Sequence, residues 1–124
     1  MLPLLRKAQE NYMTACEAWG QKRYDVAASR FYYAVYQAGK QLTLLITRER
    51  NKRIEHGDIT KFLTRFAAES DPCPLVPALY DLRCRADYFP EPVRREQLEC
   101  WVEKTDGFLC CMLELLQTSL GGHP

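Results

Sequence analysis

An all-α fold, an antiparallel up-and-down bundle of four to five helices, is predicted by three observations. Apolar residues recur in steps of three and four along most of the chain. Charged or proline-rich runs separate those periodic stretches, and no stretch shows the alternation of a strand. Long amphipathic helices joined by short connections bury their stripes most simply against antiparallel neighbours.

Each element follows in order. Leu5, Ala8, Tyr12, Ala15 and Trp19 mark the first helix, and Gly20 supplies its stop. The second runs from Tyr24 to Thr47 on a stripe of Tyr24, Ala28, Phe31, Val35, Ala38, Leu42 and Leu45. Ala27, Ala34 and Gly39 beside that stripe admit the close approach of another helix. After the charged connection TRERNKRIEHGD, a third helix carries Ile59, Phe62, Leu63 and Phe66. The prolines of ESDPCPLVP break the chain before a short fourth helix with Leu75, Leu79, Leu82, Ala86 and Phe89 on its core stripe. FPEPV ends it, Pro92 suits the first turn of a fifth helix, and Leu98 to Leu116 carry that helix's apolar face. Residues 1–120 are expected to form one domain, with a frayed tail at 121–124.

Of the 124 residues, 47% are hydrophobic and 27% charged, which excludes a disordered chain. A net charge of +1 provides no global field for a polyanion, so any such ligand needs a local patch. No apolar run reaches the roughly 18 residues of a membrane span, and the first residues turn polar at once, so the expected location is the cytoplasm, without a membrane. The six cysteines include no C-x-x-C pair and stand apart from the two histidines. They are expected to be small hydrophobes filling helix faces, vicinal Cys110 and Cys111 included, and neither a metal nor a cofactor is expected.

Chemistry concentrates in LRCRADY, Leu82 to Tyr88. On a wheel of about 100° per residue, Arg83 and Arg85 fall about 80° to either side of the core stripe. Arg83 then pairs with Asp87 and Asp81 with Arg85, each at i,i+4. One reading is two helix-surface ion pairs; the other is two guanidinium forks that bind phosphate, with Tyr88 beside them as a hydroxyl donor or a stacking platform.

SRFYYAVYQAGKQL, HGDITKF and LRCRADY, in that order, give the chain a resemblance to the HEPN family (higher eukaryotes and prokaryotes nucleotide-binding), in its small single-domain prokaryotic branch. The resemblance implies a helical bundle, usually a homodimer, often a toxin component paired with a nucleotidyltransferase-like antitoxin. Many active relatives are metal-independent endoribonucleases that use an arginine and a histidine. The histidine accepts the proton of a ribose 2′-hydroxyl, and the arginine neutralises charge gathering on the phosphate. Carried onto this chain, the arginine falls on Arg83, and Tyr88 stands where the histidine would be. A phenol of ordinary pKa, about 10, is a poor base at neutral pH, so the catalytic pair Arg83 and Tyr88 reads as a degenerate nuclease motif. Some relatives are silenced by nucleotide transfer onto a tyrosine next to the motif, and by similarity Tyr88 is the tyrosine to inspect, although it occupies the histidine's place and not the adjoining one.

Arg50 and His56 match the bare arginine–histidine pattern in the connection before the third helix, and are the alternative pair; a charged loop with His56 or Asp58 capping that helix is the plainer account. From the second helix, Arg30 and Tyr33 are placed to orient Arg83 or Asp87, with most of its tyrosines at the edge of the core. The expected function is therefore an RNA- or nucleotide-associated module of toxin–antitoxin type, in which Arg83, Arg85, Asp87 and Tyr88 form the phosphate or ligand site. An active metal-independent endoribonuclease and a structural dimeric bundle without a nucleic-acid role are the alternatives.

Overall fold

In the computed structural model, residues 3–47 and 75–121 are described, and they are all-α: α1 (Pro3–Gly20), α2 (Tyr24–Thr47), α3 (Leu75–Tyr88) and α4 (Arg95–Gly121). The expected third helix, and with it Arg50 and His56, lies outside the described residues. The unbroken stripe of α2 runs through the middle of the bundle, where this helix packs on α1, α3 and α4. Phe31, Val35, Ala38 and Leu42 are buried along it. Small residues are buried on both helices of the first hairpin, Ala8, Ala15 and Ala18 of α1 and Ala27, Ala28 and Ala34 of α2.

Cross-helix contacts give the directions. Tyr12 meets Phe31 and Trp19 meets Tyr24, which sets α1 against α2. Arg83 reaches Tyr33, and Val93, just beyond α3, donates its N–H to Asp25 Oδ1 at 2.7 Å, so α3 also runs against α2. Tyr12 donates to Asp106 Oδ1 at 2.6 Å and Arg95 lies over the Trp19 ring, which returns α4 against α1. The described helices alternate in direction. In α4, Leu98, Phe108, Leu109 and Met112 are buried. Thr105 is buried as well, its hydroxyl satisfied by the Trp101 carbonyl at 2.7 Å.

The first helix stops at Gly20 as expected, by a different device, and three other expectations need correction. Gly20 is the last residue of α1, but the left-handed step that turns the chain belongs to Lys22, at φ 61°. Arg23 N–H bonds to the Ala18 carbonyl and Lys22 N–H to that of Trp19, which is a Schellman ending with lysine where glycine is usual. A Cβ costs about 1–2 kcal/mol in that conformation. Lys22→Gly is therefore expected to stabilise the chain by about 1 kcal/mol, read as a thermal midpoint raised by about 4 °C.

Phe89 is not core: the helix ends at Tyr88, and Phe89 is 57% exposed. Val76 is buried instead. Pro92 precedes α4 by three residues and takes no part in its first turn. That turn is closed by Gln97, whose Oε1 accepts the Arg94 N–H at 2.8 Å in the manner of a capping box. Among the described residues the cysteines do not fill the interior: Cys16, Cys100 and Cys110 are exposed, and Cys84 and Cys111 half-buried, while Cys73 lies outside the described residues.

Candidate functional site

The last two turns of α3 present their arginines on opposite sides, and both i,i+4 pairs form. Arg83 Nε lies 3.0 Å from Asp87 Oδ2, and Arg85 Nε 3.0 Å from Asp81 Oδ2. Sequence geometry makes the two sides equivalent; the neighbours do not. The tyrosines of α2 cover one side, leaving the Arg83 side chain 17% exposed against 48% for Arg85.

Arg83 is held by aromatic groups. Its Nη2 donates to the Tyr33 hydroxyl at 2.5 Å, and its guanidinium carbon lies 5.2 Å from the Tyr33 ring centre and 5.4 Å from that of Tyr88. These are cation–π distances. Its ion pair with Asp87 is close but off the N–H axis, so Nε–H is buried without an aligned acceptor. Burial opposes the charge of Arg83, but hydrogen bonds to Cys84 and Tyr33 and the coulombic influence of Tyr33 and Tyr88 outweigh it, raising its pKa further above the ordinary arginine value. It is cationic at every physiological pH.

Arg30 approaches the same Tyr33 ring at 5.6 Å and donates from Nη1 to Asn11 Oδ1 at 3.1 Å; Asn11 in turn donates to Gln37 Oε1 at 2.7 Å. Two guanidinium groups thus share one aromatic ring, and among the described residues the one carboxylate ion-paired with either is Asp87, on Arg83. The local balance is positive, in a half-buried setting where charge is screened less than in water. Two phenols nearby are shifted toward the neutral form: burial pushes Tyr36 upward, and hydrogen bonding to Cys84 does the same to Tyr80.

The structure therefore brings Arg83, Asp87, Tyr88, Arg30 and Tyr33 together. Arg85 stands apart, lining an open groove of about 400 Å³ with Phe89, Glu91, Arg94 and Gln97. Asn11 and Gln37, which hold Arg30, were not legible as site residues, because their only signal is a contact between α1 and α2. Among the described residues no cluster of three or more His, Cys, Asp or Glu side chains is arranged to hold a metal ion. None of the described helices is long and apolar enough to cross a membrane.

A family model, the HEPN domain, matches residues 1–116. No curated protein and no solved structure matches the chain. The match takes in all of α1, α2 and α3, most of α4, and every residue of the arginine–tyrosine cluster. On that coverage the chain belongs to the HEPN domain family.

Proposed function

We propose that this chain is an RNA- or nucleotide-associated HEPN module of toxin–antitoxin type, acting in the cytoplasm as a homodimer, in which Arg83 contacts a phosphate and the nuclease motif is degenerate. Family membership supports a nuclease-like or nucleotide-associated role in general terms. The observation that carries the finer reading is the paired guanidinium groups of Arg30 and Arg83 on the Tyr33 ring, with one carboxylate beside them. A cation fixed by an aromatic frame recognises an oxyanion without first losing side-chain freedom. Arg30 and Tyr33 orient Arg83, and Asp87 restrains it.

Tyr88 carries the argument against strong catalysis. It takes the histidine's place and is 71% exposed, with its ring turned to the Arg83 cation. That exposure also suits it to meet a nucleotidyltransferase-like partner protein. The deciding experiment expresses the chain with and without Arg83→Ala, scoring growth and total RNA integrity alongside nucleotide and RNA binding by the purified protein. Loss of binding with intact RNA in both cultures supports the module. Metal-independent RNA cleavage that disappears with Arg83→Ala supports the endoribonuclease instead. Unchanged binding and growth support neither, and leave the structural bundle.

A further inference from the structure

The turn from α3 to α4 carries chemistry that the Arg83 site does not use. Phe89 is an exposed phenylalanine fixed in place: its N–H closes on the Arg85 carbonyl at 3.1 Å, and prolines follow at positions 90 and 92. It stands next to Tyr88, so two exposed aromatic side chains are adjacent at one helix end. Arg85 and Arg94 line the groove under Phe89. The guanidinium of Arg85 is engaged by Asp81, whereas the Arg94 side chain forms no ion pair among the described residues. The N–H groups of Val93 and Arg94, just before α4, are taken up by Asp25 and Gln97, and the arginine side chains supply the positive charge of this groove. Glu91 lines it too and opposes them.

We infer that this strip, Tyr88 and Phe89 flanked by Arg85 and Arg94, is a contact surface for single-stranded RNA continuous with the Arg83 site. The inference rests on Arg83 as a phosphate contact and extends that site along a strand. An aromatic ring held in water offers a face to an unstacked base, and neighbouring arginines meet the backbone on either side. A duplex hides its base faces from such a platform, and a mononucleotide has no chain to carry on past its own phosphates along the strip. Tyr88 is the hinge of the two parts, since its ring contacts Arg83 while its neighbour Phe89 lines the groove.

The test measures fluorescence anisotropy of a labelled oligouridylate of about twelve nucleotides, within the usual span of single-strand sites, with ATP and an RNA duplex as comparisons and the full chain as the protein. Phe89→Ala and Arg94→Glu should each weaken the single strand about tenfold while leaving ATP affinity unchanged. Glu91→Gln should tighten the single strand by about threefold, by removing a facing like charge to the phosphates. Circular dichroism of each variant shows that the helices are intact. Unchanged single-strand affinity in Phe89→Ala and Arg94→Glu overturns the strip, and the Arg83 reading then survives if Arg83→Ala still loses ATP. A parent protein that binds neither ATP nor RNA overturns both. Single-strand affinity that holds while Phe89→Ala changes the oligomeric state in light scattering assigns the surface to a second copy of the chain, and also overturns it.

Discussion

Arg83→Ala is expected to lower affinity for a phosphate-bearing ligand by about a hundredfold while leaving the fold almost as stable as before. The first half follows from the strength of charge-assisted hydrogen bonds, about 1.5–3 kcal/mol each, and 1.4 kcal/mol is a factor of ten. The second half follows from how the side chain is housed. Arg83 is only 17% exposed, and its buried Nε–H has no aligned acceptor. Its removal loses the Tyr33 hydrogen bond, two cation–π contacts and the Asp87 ion pair, but it also relieves the desolvation of a cation, and the Asp87 carboxylate, a third exposed, falls back on water. These oppose each other, and a net change within about 1 kcal/mol is expected. Arg83→Lys should fall between, because an ammonium keeps the charge and loses the planar fork. Calorimetric titration with a nucleotide, beside a melting curve, separates the two effects. Equal affinity in parent and Arg83→Ala would remove phosphate contact from the role of this residue.

Phe31→Ala is expected to be the most damaging single change to stability, about 3–5 kcal/mol. Phe31 is fully buried on the central helix and meets Tyr12 edge-to-face with ring centres 6.0 Å apart. Tyr12 in turn donates to Asp106 on α4, so one ring pair joins α1, α2 and α4. A fall of roughly 10–20 °C in the thermal midpoint should result.

The sequence carried the helices well where a stripe runs uninterrupted. The expected limits of the second helix, Tyr24 and Thr47, are those of α2, because nothing within it breaks the alternation of three and four. The ends were read less well, since they are decided by partners distant in the chain. Asp25 holds Val93 from 68 positions away, and so the last helix starts at Arg95, past Pro92. Phe89 continues the period of its stripe, yet the helix that gave the period meaning ends one residue earlier. The i,i+4 pairs of the candidate site were legible because helix geometry alone makes them neighbours. The difference between Arg83 and Arg85 was not, because only the tyrosines of α2 distinguish two sides that a wheel renders symmetrical.

A donor that has given up water and meets its counter-ion only off axis is a standing cost to the resting protein. Arg83 Nε–H is such a donor. An oxyanion seated against it would relieve that cost as it binds, so occupancy and folding would reinforce one another. The midpoint of thermal unfolding is therefore expected to climb with ligand concentration, by about 2.7 kcal/mol of added stability at a hundred times the parent's dissociation constant, and by only about 0.4 kcal/mol in Arg83→Ala at the same concentration.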